Sequence, residues 1–191
     1  MNVIVSRVDT GSAAFARNRE AMSALLADVR QKFERVREHS ERARAAFEKR
    51  GALLPRDRVA LLLDRDKPFI EIAPLAGLGM HDDDGDRTAS GGGAIAGIGW
   101  VAGTRCFVFA HDSGIKGGAT SPMGLKKKLR IHEIAHREKL PYVSLAESAG
   151  ANLRYQSEMF VEGGQIFANQ ARLSAAGVVG EGALRAGAEE Q

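Results

Sequence analysis

The amino-acid sequence predicts an α/β fold in which parallel strands alternate with helices. Two stretches that start 35 residues apart carry the same pattern: residues 107–114 read FVFAHDSG and residues 142–149 read YVSLAESA. Each is a short apolar run that ends in an acid, a serine and a small residue, and a Gly/Ala-rich turn follows. Because two parallel strands need a long return connection, this repeat of strand, turn and helix predicts neighbouring parallel strands covered by helices on both faces.

The N-terminal part of the chain is predicted to be mostly helical. Between residues 18 and 49, apolar side chains recur at helical spacings of three and four. The residues of this stripe are Met22, Leu25, Leu26, Val29, Phe33 and Val36. A shorter helix is predicted over residues 56–63, and a turn and a short strand over residues 66–72. Residues 81–93 are acidic and glycine-rich, with too few apolar side chains to pack, so we expect a mobile loop there.

The central part of the chain predicts a β-hairpin that leads into the repeat. The apolar runs 94–101 and 105–110 are separated by Ala-Gly-Thr, which is typical of a hairpin. We then expect a helix over residues 122–138, a strand over residues 141–145 and a helix over residues 163–176. This order places a parallel strand pair beside the hairpin.

The repeat is expected to stop after its second unit. A third strand would begin near residue 178, where Val178 and Val179 lie. Residues 181–191, however, show no pattern of strand, turn and helix. The sequence therefore predicts a third unit that is cut off.

Composition is typical of a globular protein and excludes several classes. The net charge of +3 results from 27 basic and 24 acidic residues, without a one-signed patch, so we expect no nucleic-acid partner. No apolar run approaches the roughly 18 residues that span a membrane, and we expect no membrane partner. Cys106 is the single cysteine, which excludes an internal disulfide and fits a reducing compartment. With no secretory signal pattern at the N-terminus, these features predict a cytoplasmic protein.

Residues 132–136 read HEIAH and match the metalloprotease pattern H-E-x-x-H. Positions four residues apart share one helix face, so both imidazoles could bind zinc while Glu133 activates a metal-bound water. His132 and His136 also continue an apolar stripe of the predicted helix, which favours packing, and a third zinc ligand has no clear candidate. We therefore expect no metal, and keep a zinc hydrolase as an alternative.

The two Gly/Ala-rich turns are the strongest candidates for a binding site. Small side chains let a ligand approach backbone N–H groups, which are suited to stabilise an enolate or another oxyanion. Lysines in the adjoining helix could meet a phosphate-bearing ligand. The alternative is that both turns are only tight connections between a strand and a helix. The candidate residues are Lys116, Gly117, Gly118 and Ala119 in the first turn, Ala149, Gly150, Ala151 and Asn152 in the second, and Lys126, Lys127 and Lys128 in the helix.

Several stretches, in one collinear order, are similar to a known family. They are RDRVALLLD from residue 56, GGG from residue 91, KGGA from residue 116, ESAGANL from residue 147 and GQIF from residue 164. On these motifs, residues 56–177 closely resemble the N-terminal half of the carboxyltransferase (beta) subunit of biotin-dependent acyl-CoA carboxylases, which include the propionyl-CoA and 3-methylcrotonyl-CoA carboxylases. Residues 79–83, GMHDD, look closer to the methylcrotonyl branch.

The resemblance implies a crotonase-like ββα superhelix, present here in truncated form with an N-terminal helical extension. It also implies that carboxybiotin delivers CO2 to the enolate of an acyl-CoA, with no metal at this step. By similarity, the N–H groups of Ala149 and Gly150 would be the catalytic donors to the thioester oxygen. Residues 116–119, 126–128 and 151–152 would bind the acyl-CoA. The biotin would be carried by a partner alpha subunit or domain, and full-length subunits would form homo-oligomers.

These observations lead to three hypotheses about function. We divide the chain into an N-terminal helical extension (residues 1–55), a partial carboxyltransferase N-terminal domain (56–180) and a divergent tail (181–191). The leading hypothesis is an acyl-CoA carboxyltransferase component that transfers CO2 to the α- or vinylogous carbon of an acyl-CoA. The alternatives are a non-catalytic fragment that docks on full-length carboxylase subunits and a zinc hydrolase that uses the HEIAH helix.

Overall fold

A computed structural model describes residues 5–178, which form a four-stranded sheet with helices on both faces. The helices are α1 (Ala13–Glu41), α2 (Arg44–Glu48), α3 (Pro55–Leu62), α4 (Pro122–Glu138) and α5 (Phe160–Ala175). The strands are β1 (Ile70–Glu71), β2 (Ala94–Val101), β3 (Thr104–His111) and β4 (Tyr142–Leu145). Short 3-10 helices cover Gly91–Gly93, Lys116–Gly118 and Leu153–Glu158. The predicted divergent tail and Val179 lie outside the described residues.

The directions of the strands follow the prediction. The order in the sheet is β1-β2-β3-β4, and β2 and β3 form an antiparallel hairpin over their whole length. β3 and β4 are parallel, with Phe107 opposite Tyr142 and Ala110 opposite Leu145. Because these two strands are parallel, their carboxyl ends lie at the same edge of the sheet, and α4 forms the return connection between them.

The sheet buries side chains on both faces, as predicted. Phe107 and Phe109 of β3 point to one face and pack with Ile131 of α4 and Leu173 of α5. Val108 and Ala110, the alternate residues of the same strand, pack on the other face with Val59 of α3. The resulting two-sided core fixes the strand ends from which the candidate turns emerge.

The first helix packs on the rest of the protein only through its C-terminal part, against the segments before β2 and after β3. Val36 and Ser40 are 3% and 1% exposed, and the Ser40 hydroxyl donates a hydrogen bond of 2.7 Å to the Asp112 carboxylate at the end of β3. Met22 and Leu25, earlier in the same stripe, are 56% and 63% exposed. The stretch predicted as one helix over residues 18–49 forms two helices, α1 and α2. Only part of its apolar stripe is buried against other residues. Although α1 has 29 residues, it and the other helices of residues 5–178 are too short or too polar to span a bilayer.

The acidic stretch before β2 is held by hydrogen bonds to its own carboxylates. Asp83 is 6% exposed and accepts from the N–H groups of Gly85 (3.0 Å) and Ser90 (2.7 Å). The Asp84 carboxylate accepts from the N–H groups of residues 86–88. The expectation that this stretch has too little apolar content to pack is wrong at Asp83 and Ala89, which are both buried. The carboxylates of Asp83 and Asp84 organise the backbone here.

Candidate functional site

The two Gly/Ala-rich turns lie side by side at the carboxyl ends of β3 and β4. The Thr120 N–H donates to the carbonyl of Gly150 at 2.8 Å, and the Asn152 N–H donates to the carbonyl of Thr120 at 3.0 Å. The Ser148 hydroxyl donates to the carbonyl of Gly118 at 3.0 Å. The structure thus brings the sequence-predicted turns together through backbone contacts, which makes a single site at this edge of the sheet.

Gly118 is the position of closest approach between the turns. Its φ is +79°, and a Cβ atom built on it would lie 2.3 Å from the carbonyl oxygen of Glu147. No side chain fits at that distance, so glycine is required at this position. The neighbouring Gly117 also has a positive φ of +62°, but a Cβ atom there would meet nothing within 4 Å.

The predicted oxyanion donors differ in availability. The Gly150 N–H donates to the Ser148 hydroxyl at 3.0 Å, so it already has an acceptor. Among residues 5–178, no acceptor lies opposite the Ala149 N–H, and Ala149 is exposed. Of the two predicted donors, the Gly150 N–H is therefore occupied and the Ala149 N–H is not, within residues 5–178.

Sequence reasoning missed one residue that holds the second turn. The Arg58 guanidinium of α3 lies 2.8 Å from the carboxylate of Glu147, and the Arg58 side chain is only 9% exposed. A charged hydrogen bond at such a site restricts the acidic residue that begins the turn. The RDR motif of α3 was visible in the sequence, but its contact with a residue 89 positions later was not.

The predicted lysine cluster does not form one surface. Lys127 is buried, and its ammonium donates to the carbonyls of Gly91 (3.0 Å) and Ala94 (2.6 Å). Burial lowers the pKa of Lys127 to about 8. Lys126 is exposed, and the Lys128 ammonium lies 5.1 Å from the centre of the Phe109 ring. Three consecutive helical residues point in three directions, about 100° apart, so they do not face one ligand together.

A cavity of about 540 Å³ lies beside the second turn, between α4 and α5. Its volume is in the range of pockets that bind small organic ligands. Gly150, Ala151 and Lys128 line it, together with Gly163 and Gly164 of α5. The apolar side chains of its wall are Leu125, Leu153, Met159, Phe160, Ile166 and Phe167.

The contribution of α5 to this cavity was not predicted. Two adjacent glycines in a predicted helix were the available signal, because glycine is disfavoured in helix interiors by about 1 kcal/mol. Phe160 and Phe167 of the cavity wall remain 70% and 74% exposed. The cavity is therefore open to solvent on the side of α5.

The HEIAH helix gives the zinc hypothesis no support. His132 is 1% exposed and packs edge-on against the ring of Tyr142, with 4.8 Å between the ring centres. Burial disfavours the imidazolium and lowers the pKa of His132 to about 4. His136 is exposed, and Glu133 pairs with Arg130 at 2.8 Å. Within residues 5–178, no group of three His, Cys, Asp or Glu side chains is placed to hold a metal ion.

Comparison with known proteins shows the same relationship as the sequence motifs. The model of the carboxyl transferase domain family matches residues 47–180. The chain is 40% identical over 181 residues to the probable methylcrotonoyl-CoA carboxylase beta chain, mitochondrial, of Drosophila melanogaster, with 93% of this chain and 31% of the relative covered. It is 46% identical over 142 residues to the biotin-dependent 3-methylcrotonyl-coenzyme A carboxylase beta1 subunit of Mycobacterium tuberculosis, with 73% and 26% covered.

Solved structures agree with this relationship. The beta subunit of P. aeruginosa geranyl-CoA carboxylase has a TM-score of 0.82 and 53% identity, with 91% of this chain and 32% of that chain covered. Transcarboxylase 12S, at 22% identity and a TM-score of 0.66, has the same fold over 81% of this chain. These neighbours confirm the predicted crotonase-like α/β class. The chain spans less than a third of the length of these relatives.

Proposed function

Because the chain belongs to the carboxyl transferase domain family, we propose that it forms the acyl-CoA-binding part of a biotin-dependent acyl-CoA carboxyltransferase. The observation that supports this most directly is the pairing of the two turns beside an apolar cavity. The turns offer backbone N–H groups to a thioester oxygen, and the cavity offers space to an acyl chain. No other described surface combines these two properties.

In the proposed reaction, the α- or vinylogous carbon of the acyl-CoA would lose a proton to the biotin nitrogen that has released CO2, and the resulting enolate would attack that CO2. The Ala149 N–H would donate to the thioester oxygen, where negative charge develops, and the Gly150 N–H would follow once the Ser148 hydroxyl turns away. Carboxybiotin, carried by a partner alpha subunit, would supply the CO2. We assign no described residue to biotin, and the described residues contribute binding and orientation of the thioester.

The cavity favours a large apolar acyl group. Six apolar side chains line it, and neither Gly163 nor Gly164 of α5 fills it with a side chain. The 53% identical neighbour is named as a geranyl-CoA carboxylase, which is consistent with a long or branched acyl chain here. We therefore propose that this chain prefers acyl groups larger than propionyl.

Replacing Gly163 with leucine tests this preference. A Cβ atom at Gly163 meets nothing within 4 Å, so leucine enters the cavity without a backbone clash. We expect binding of octanoyl-CoA to weaken about tenfold, because losing room for two methylene groups costs about 1.5 kcal/mol. Propionyl-CoA binding should stay within about twofold, and helix stability should rise because leucine replaces glycine. The matched control is Val161→Leu, which is 89% exposed on the same helix; equal losses for both acyl-CoAs would contradict the proposal.

Direct binding is the test of the proposed function itself. Isothermal titration calorimetry of the folded chain with octanoyl-CoA is expected to show binding that weakens with salt, since CoA carries phosphates. Lys128→Glu should reduce the affinity about threefold to tenfold at low ionic strength, because Lys128 lines the cavity. The control is Arg137→Glu at the far end of α4, where the side chain is 64% exposed. Failure of folded protein to bind any acyl-CoA would refute the proposal.

One observation favours the second candidate, a non-catalytic chain that docks on full-length carboxylase subunits. The N-terminal half of α1 leaves Met22, Leu25, Leu26 and Val29 between 38% and 63% exposed. An apolar stripe of this kind is typical of an interaction surface. Co-purification with a full-length relative, without turnover by this chain, would favour this candidate over the first.

A further inference from the structure

Asp82 contacts both sides of the candidate site from a distant part of the chain. It lies between β1 and β2, in the acidic stretch that sequence analysis left without a role. One carboxylate oxygen accepts from the Lys116 ammonium of the first turn at 2.7 Å. The other accepts from the Tyr155 hydroxyl, which belongs to the 3-10 helix after the second turn. A single carboxylate therefore links the two elements that follow β3 and β4.

A second contact strengthens the link to the 3-10 helix Leu153–Glu158. The His81 ring packs edge-on against Tyr155, with 4.7 Å between the ring centres. His81 Nε2 also lies 3.1 Å from the carboxylate of Glu158. Leu153, at the start of this 3-10 helix, lines the cavity. Movement of the 3-10 helix would therefore change the cavity wall.

The acidic stretch is itself organised, so Asp82 is attached to a fixed backbone. The Asp83 carboxylate accepts hydrogen bonds from the N–H groups of Gly85 and Ser90, and the Asp84 carboxylate accepts from the three N–H groups that follow Gly85. The Lys116 ammonium, and after it the Tyr155 hydroxyl, lower the pKa of Asp82. The carboxylate is thus charged at neutral pH, and both of its hydrogen bonds are charge-assisted.

We propose that Asp82 is a positioning residue for the acyl-CoA site: it couples the first turn to the 3-10 helix behind the second turn and so fixes the geometry of the cavity entrance. The hydrogen bonds at Thr120 and between Ser148 and Gly118 join the backbones of the two turns. Asp82 adds an attachment away from these contacts, through the side chains of Lys116 and Tyr155, and so restricts rotation of the 3-10 helix about them. The part of this inference that concerns acyl-CoA rests on the function proposed above.

Hydrogen exchange measured by mass spectrometry tests the coupling without any ligand. In Asp82→Asn, the amides of residues 116–120 and 153–159 are expected to exchange at least about threefold faster, because the charge-assisted bonds are lost. Asp86→Asn is the matched control, since the Asp86 carboxylate pairs with Arg35 of α1, and it should leave the exchange of residues 116–120 and 153–159 unchanged. Unchanged exchange in Asp82→Asn, or equal effects of both variants on the distant segments, would overturn the proposal.

The chain contains two tyrosines, so a spectroscopic titration can follow Tyr155 directly. The hydrogen bond to Asp82 raises the pKa of Tyr155. Absorbance at the tyrosinate band should show one tyrosine titrating at lower pH in Asp82→Asn than in the unaltered chain, and this transition should be missing in Tyr155→Phe. A titration unaffected by Asp82→Asn would show that the bond is absent in solution and would refute the coupling.

Measuring acyl-CoA affinity then separates a positioning role of Asp82 from a general effect of Asp82 on protein stability. Asp82→Asn and Tyr155→Phe are each expected to weaken octanoyl-CoA binding about fivefold to tenfold, with little change in the melting temperature, and the double variant should be no weaker than either single variant. Asp82→Glu should restore part of the affinity. Tighter binding in Asp82→Asn would mean that Asp82 competes with a phosphate for Lys116, which would overturn the positioning role. If the unaltered chain binds no acyl-CoA, the proposed function fails, and hydrogen exchange still decides the coupling.

Discussion

Gly118→Ala is expected to destabilise the protein by about 3 kcal/mol and to abolish the proposed acyl-CoA binding. Alanine at a φ of +79° costs about 1–2 kcal/mol, and its Cβ atom would lie 2.3 Å from the Glu147 carbonyl oxygen, so the turns must separate. The Ser148 hydroxyl would then lose its bond to the Gly118 carbonyl. Urea denaturation gives the loss of stability, and calorimetry with octanoyl-CoA gives the loss of binding.

Gly117→Ala is the matched control for this variant. It has nearly the same backbone conformation, with a φ of +62°, but open space around the added Cβ atom. We expect a loss of only about 1 kcal/mol from backbone strain, with acyl-CoA binding retained. The difference between the stability losses of the two variants measures the cost of placing a side chain where the turns approach most closely. Equal losses of stability would show that the contact between Gly118 and Glu147 does not determine the spacing.

The stability of the protein is expected to fall steeply as the pH is lowered from 6.5 to 4. Burial lowers the pKa values of His111 and His132 to about 4, while an unfolded histidine has a pKa near 6.5. The unfolded state therefore binds more protons in this range, and the stability present above pH 6.5 is lost as the pH falls. Each buried histidine contributes a slope of about 1 kcal/mol per pH unit.

The variant His132→Phe isolates one of these contributions. Among residues 5–178, neither ring nitrogen of His132 has a hydrogen-bond partner, so phenylalanine removes the titration without breaking a bond. Urea denaturation between pH 4.5 and 7.5 should show a slope reduced by about 1 kcal/mol per pH unit. Ile131→Val, a buried change on the same helix that involves no titratable group, should lower the stability but leave the slope unchanged. An unaltered slope in His132→Phe would contradict a buried, neutral imidazole at this position.

Local sequence signals predicted the helices and strands whose ends are set by residues in or next to the element itself. The helix predicted over residues 122–138 is α4, Pro122–Glu138, because the Ser121 hydroxyl caps its N-terminus and Lys139 adopts a left-handed conformation after it. The predicted hairpin forms for the same reason, since its two apolar runs and the turn residues between them are local. In α1, by contrast, the stripe predicted one helix through residue 49, and the break at residues 42–43 has no sequence signal that we recognised.

The candidate site was predicted only in part, because half of it depends on contacts between distant segments. Both turns were found from their small residues, since each turn is local. The burial of Lys127 was not, because its acceptors at Gly91 and Ala94 lie more than 30 residues earlier. The hydrogen-bond partners of Asp82 are 34 and 73 positions away along the chain. The composition of residues 81–93, taken alone, predicted a mobile loop. Side-chain chemistry could be read from the sequence, whereas the pairing of distant groups could not.

The backbone hydrogen bonds between the two turns affect which parts of the site mutation can change. The N–H and C=O groups of Thr120, the carbonyl of Gly150 and the N–H of Asn152 hold the turns together, and the absence of a side chain at Gly118 lets the turns approach. The side chains of α5, which line the cavity from the other side, take no part in those hydrogen bonds. Mutation of α5 can therefore reshape the cavity while the spacing of the two turns stays unchanged.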